Sequence, residues 1–181
     1  DSQVYWSENH QILGASAEYL AGRLFPNELF TNSGLYGNEI MERGKKRVLT
    51  WLDLRWTYGF SEWYSNTYYK EDIAPLSNII EFTDDQELKS KATAVMDPQM
   101  YDIAPQSFNG TFLSTSGRAY ENDRKNDVGT TMEKFLKLFY DKETDLGPTM
   151  LQVFTLNSSY KIPGIFKDMT KKVVSLKLPL G

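Results

Sequence analysis

The sequence predicts an all-α fold made of helical hairpins, and three observations carry that prediction. Apolar residues recur at three- and four-residue spacing in several separate stretches, and proline and glycine punctuate the chain between them. Two-residue alternation is confined to a lysine-rich segment near the end. With 181 residues, 40% of them hydrophobic and 14% aromatic, the chain carries enough apolar material for one domain with a continuous core.

The first helix is predicted over 7–25, with Ser7 as N-cap and Glu8 as a first-turn acid. Steps of three and four from His10 land on Leu13, Ala17, Leu20, Ala21 and Leu24, so the imidazole is expected on an apolar stripe facing a core or a cleft, not freely solvated. Residues 26–37 contain Pro26, Gly34 and Gly37 and read as a connecting loop. A second helix is predicted over 38–58, where Val48, Leu52 and Arg55 share one stripe with Trp51 beside them. A guanidinium on that stripe needs an anionic partner, from the protein or from a ligand.

Gly59 ends that helix, and residues 60–65 form an aromatic segment containing Glu62, Trp63 and Tyr64 that is expected to line a site. Ile73, Leu76, Ile79 and Ile80 mark a third helix, with Pro75 placed in its first turn, where the missing N–H costs nothing. Leu88, Ala92, Val95 and Met96 mark a fourth, begun by Asp84 or Asp85 and kinked or stopped at Pro98. Residues 106–127 are polar and without period, a loop carrying Arg118, Tyr120 and Glu121 whose length suggests function or flexibility. Met132, Phe135, Leu136 and Phe139 support a fifth helix, residues 150–156 fit helix or strand equally, and residues 171–178 alternate as a short C-terminal strand would.

Composition removes several functional classes. A net charge of −4 argues against nucleic acid as a partner, and no apolar run is long enough to predict a membrane span. The absence of cysteine excludes disulfides, thiolate zinc sites and a cysteine nucleophile. No basic-then-apolar leader opens the chain, so a soluble or already processed protein is expected; the residues do not fix its location, for which secreted or periplasmic is one candidate. There is no glycine-rich phosphate loop, nucleophile elbow or paired-histidine metal motif, so neither a metal nor a cofactor is expected.

His10 is the only histidine, which concentrates near-neutral proton transfer at one place. Together with Asn9, Arg55, Tyr64, Arg118 and Tyr120 it suits β-elimination from an acidic polysaccharide. In that chemistry an amide and an arginine neutralise the sugar carboxylate, a histidine or tyrosinate removes the neighbouring proton, and a tyrosine protonates the leaving oxygen. On this reading His10, Tyr64 and Tyr120 are catalytic, and Asn9, Arg55, Glu62, Trp63 and Arg118 bind substrate. Glycoside hydrolysis by Glu8 and Glu62 is an alternative, since it needs two carboxylates flanking the scissile bond. A helical module that binds a glycan or a protein without turnover is another. Structural accounts also exist: Arg55 bridging to Glu62, Tyr64 packing, and Arg118 holding its loop to the helices.

The segment from Trp6 to Leu13, the stretch Trp51, Leu52, Asp53, Leu54, Arg55, the aromatic segment 59–65 and the loop 114–121 together resemble a group of large, mostly uncharacterised microbial proteins. That resemblance covers roughly residues 1 to 125 and implies an (α/α) toroid. A more distant similarity is to alginate-lyase and heparinase-like polysaccharide lyases, which carry an Asn-His pair on one helix and an Arg and a Tyr further along. It implies those roles for Asn9, His10, Arg55 and Tyr64, with a polysaccharide or oligosaccharide as substrate. Such toroids have about a dozen helices, so residues 1–181 are expected to be a single helical domain forming part of a larger toroid, prone to self-association or to completion by another chain.

Overall fold

In the computed structural model, which describes residues 6–108, 110–112, 114–125, 130–140, 147 and 149–170, the chain is all-α. Helix α1 (Glu8–Leu24) and helix α2 (Gly37–Tyr58) form an antiparallel hairpin whose backbones nearly touch at glycines. A Cβ built on Gly22 would lie 2.3 Å from the Gly37 carbonyl oxygen, and one on Gly44 would lie 2.4 Å from the Tyr19 nitrogen. The connection between these helices, read as a plain loop, contains a small antiparallel ladder of β1 (Leu29–Phe30) and β2 (Leu35–Tyr36). Gly34 turns it at φ 70°, a conformation that costs glycine little.

Helix α3 (Tyr69–Phe82) is the central element and packs on both α1 and α4 (Gln86–Ile103). Residues 72–77 are buried in an unbroken run, as a helix surrounded by neighbours requires. Its start is organised by Ser65, whose hydroxyl accepts from the Thr67 and Tyr68 backbone N–H groups at 3.2 and 3.0 Å. Pro75 lies in the second turn, not the first, because this helix begins four residues ahead of Ile73, among aromatic residues that show no helical period. Asp85 caps α4 by accepting from the Leu88 N–H at 3.0 Å. The early stop considered at Pro98 does not occur: the helix continues to Ile103, held by buried Gln99, Met100 and Ile103 against the core. Tertiary burial here outweighs the lost backbone hydrogen bond.

The stretch 106–127 is not a bare loop. It contains β3 (Ser107–Phe108) paired with β4 (Thr111–Phe112), and α5 (Glu121–Lys125). Helix α6 (Thr131–Leu136), capped by Thr130, continues into a 3-10 turn, Lys137–Tyr140, and places Met132, Phe135 and Leu136 in the core as their spacing predicts. Residues 150–156 resolve as a turn leading into a helix: Gln152–Leu156 forms α7, followed by α8 (Gly164–Met169). The strand expected at 171–178 lies outside the described residues. Among the described residues no helix is long and apolar enough to cross a membrane.

Candidate functional site

The first turn of α1 and the aromatic segment are joined by a reciprocal exchange between two buried glutamates. The Glu8 carboxylate accepts from the Ser61 N–H and hydroxyl, both at 2.7 Å, and from the Glu62 N–H at 3.4 Å. Glu62 returns the contact, accepting from the Asn9 N–H at 3.3 Å, one of the donors that a helix start leaves without an internal partner. Each carboxylate then meets a guanidinium: Glu8 pairs with Arg55, and Glu62 with Arg118 at 2.7 Å. Arg55 therefore has the anionic partner its position demanded, but that partner is Glu8 rather than Glu62 or a sugar. Arg118 ties its loop to the helices, as the structural account supposed, and the Ser65 hydroxyl donates to its carbonyl at 2.6 Å.

This network corrects the hydrolase alternative. Glu8 and Glu62 are both 5% exposed and do not face each other across an opening; their oxygens are committed to backbone and guanidinium donors. Asn9 is fully buried, and its side chain is likewise committed: its amide nitrogen donates to Glu71 and its carbonyl oxygen accepts from the Ser7 hydroxyl at 2.7 Å. Asp72 is fully buried, with no hydrogen-bond partner for either oxygen among the described residues. Burial, reinforced by the nearby charge of Glu62, pushes its carboxyl well above the ordinary range, with Arg55 opposing the shift. Burial also lowers the pKa of Arg55.

His10 occupies the opposite side of the same helix. The buried face of α1 is Glu8, Asn9, Ile12, Ala15, Ser16, Tyr19 and Gly22, so the predicted stripe was out of phase and His10 itself is exposed. Its neighbours Leu13, Ala17 and Ala21 line an open groove of about 880 Å³, not the core. Trp6, Ser7, Phe30, Asn32, Ser33, Arg43 and Arg118 complete much of its wall. Arg55, Tyr64 and Tyr120 are not among the residues lining it. Arg118 also borders a second, polar groove of about 850 Å³ beneath the loop 114–119.

The aromatic candidates serve the framework. Trp63 is 40% exposed and packs on Gly117, where a Cβ would lie 2.6 Å from its indole nitrogen. Tyr64 holds a left-handed backbone at φ 51°, uncommon for a bulky residue, and its N–H donates to the Tyr69 hydroxyl at 2.7 Å. Burial, then the nearby charge of Asp102, raises its phenol above the ordinary tyrosine range. The Arg118 guanidinium lies 4.0 Å over the Tyr68 ring, and the Tyr68 hydroxyl donates to Tyr120 at 2.7 Å. Tyr68 is pushed up to about 12, by burial first and then by that hydrogen bond. Tyr120 is 60% exposed.

Sequence reasoning missed Arg43, Asn32 and the β1–β2 hairpin as groove walls, because nothing local marks a turn that folds back over a preceding helix. It also missed Glu71 and Asp72, whose only sequence signal was a pair of acidic side chains immediately before the apolar run of α3. No group of three or more ligating side chains suited to a metal occurs among the described residues. No protein-family model matches the chain, and comparisons with curated proteins and with solved structures likewise give no significant match.

Proposed function

We propose that the groove along α1 binds a carboxylate-bearing oligosaccharide, with Arg118 and His10 as the polar contacts and Trp6 as a stacking surface. The observation that carries this reading is the presence of His10 and Arg118 in one open groove of ligand size. Arg118 keeps 41% of its side chain exposed while Glu62 holds one of its nitrogens, so it presents further donors in a fixed orientation. Trp6 is 79% exposed beside it, a flat apolar face of the kind that pyranose rings stack upon. Asn32 and Ser33 add hydroxyl and amide partners.

Turnover by β-elimination is a second reading, favoured by one feature: the Nε2 atom of exposed His10 has no partner among the described residues, as a base awaiting a proton requires. In that reading Arg118 replaces Arg55 as the group that neutralises the sugar carboxylate. Calorimetric titration with a short oligouronate and with a neutral oligosaccharide of equal length tests the binding. Heat of binding for the oligouronate alone is expected, and equal or absent heats would contradict it. A growing ultraviolet absorbance of unsaturated product during incubation separates elimination from binding.

A further inference from the structure

We infer that Ser7 and Asn9 are positioning residues that hold the His10 imidazole as its Nδ1–H tautomer, leaving the Nε2 lone pair free on a ring that lines the groove. The argument begins at Glu71, whose carboxylate takes a hydrogen bond from the Asn9 side chain. A carboxylate only accepts, so the Asn9 amide must present its NH2 there and its carbonyl oxygen on the other side. That oxygen lies 2.7 Å from the Ser7 hydroxyl. Two oxygens at this distance need one hydrogen between them, and the carbonyl has none, so Ser7 donates.

The Ser7 proton is then spent, while its hydroxyl oxygen also hydrogen-bonds His10 Nδ1. The hydroxyl has a single hydrogen, so this second contact requires Nδ1 to be the donor. Reversing the chain would have Ser7 donate to Nδ1 and accept from the Asn9 NH2, which would turn the Asn9 carbonyl oxygen against the Glu71 carboxylate. Two acceptors facing each other at a fully buried residue carry a desolvation and repulsion cost that the first arrangement avoids. The direction of every bond is thus set by one carboxylate three links away.

Two further features agree. Ser7 sits at the N-cap of α1 with extended backbone, φ −80° and ψ 152°, yet its side chain makes no capping bond. Its hydroxyl is diverted from the usual partner of an N-cap serine to the imidazole. Asn9 stands in the first helical turn with a fully buried side chain, where an apolar residue would fill the space at less desolvation cost. The outcome for function is that Nε2, unprotonated on a ring that lines the groove, accepts a hydrogen bond or a proton from whatever lies there. Only the identity of that donor, a glycan hydroxyl or C–H, rests on the function proposed above.

Because His10 is the only histidine, its two ring nitrogens can be read in the intact chain without assignment ambiguity. Long-range proton–nitrogen correlation spectra of the 15N-labelled protein, recorded where titration shows the ring neutral, should give Nδ1 as the protonated nitrogen and Nε2 as the pyridine-type one. Ser7→Ala should shift the ring toward the Nε2–H form that free histidine favours, while Ser7→Thr, which keeps the hydroxyl, should retain the original pattern. A wild-type ring in the Nε2–H form overturns the inference, whether or not Ser7→Ala folds, and so does a folded Ser7→Ala with the wild-type pattern. An oligouronate that fails to bind a protein showing the Nδ1–H form removes the proposed ligand and leaves the tautomer standing. Binding to a protein in the Nε2–H form does the reverse.

Discussion

The Arg55 guanidinium and the Glu8 carboxylate form an ion pair between the last turn of α2 and the first turn of α1, with side chains 14% and 2% exposed. Removing one member of such a pair leaves the other charge buried and alone. Arg55→Ala is therefore expected to lower the unfolding free energy by about 3–5 kcal/mol, measured by urea denaturation. Glu8→Ala should cost a similar amount, and the double variant clearly less than the sum of the two. Additive losses would show that the two groups do not act as a unit.

The α1–α2 crossing leaves no room for a side chain at Gly44, where a Cβ would meet the Tyr19 backbone at 2.4 and 2.8 Å. Gly44→Ala replaces a poor helix former with the best one, yet the helices must separate to accept it. The expected result is a net loss of about 1–3 kcal/mol, read as a lowered thermal midpoint. A raised midpoint would contradict the close approach.

Asp102 provides the pH dependence. Burial pushes its carboxyl from 3.8 to about 6, against a weak opposing hydrogen bond from Tyr69. A carboxyl raised in the folded state binds its proton more tightly there than in the unfolded chain. The stability it contributes is whole below 3.8 and is lost as pH climbs through about 6. Asp72 acts in the same direction. Asp102→Asn should flatten the fall in thermal midpoint across that interval, and an unchanged profile would remove Asp102 as its source.

His10→Ala separates groove from framework. The imidazole is exposed and its only hydrogen-bond partner among the described residues is Ser7, so unfolding free energy should change by no more than about 0.5 kcal/mol. Oligouronate affinity should fall in the same protein. A large stability loss would instead place the ring within the supporting network.

Most of the helical framework was legible because its core positions are apolar: Val48 and Leu52 in α2, Leu88, Ala92, Val95 and Met96 in α4, and Met132, Phe135 and Leu136 in α6 all fall in the core at their predicted spacing. The phase of α1 was not. Its buried face begins with Glu8 and Asn9, polar residues that become comfortable inside only through Arg55, Glu62 and Glu71, partners 47 to 62 residues away in a chain whose pairing the sequence does not display. Its open face carries Leu13, Ala17 and Ala21, apolar enough to look like core. The early stop expected at Pro98 fails for a related reason: local propensity speaks for itself, whereas the packing of Gln99, Met100 and Ile103 that carries α4 onward is tertiary. Arg55 was legible as a buried charge in need of a partner, and only the partner's identity required coordinates.

His10 and Arg118 share one open groove, and the proposal that this groove binds an acidic sugar chain stands or falls on those two side chains. The most direct measurement follows the His10 ring nitrogens while a short oligouronate is titrated into the labelled protein, with a neutral oligosaccharide of equal length as reference. A saturable movement of the Nε2 resonance with the oligouronate, absent with the neutral chain and weakened by Arg118→Ala, is the result predicted. An imidazole that remains unmoved at saturating oligouronate, or that responds equally to both sugars, would contradict it.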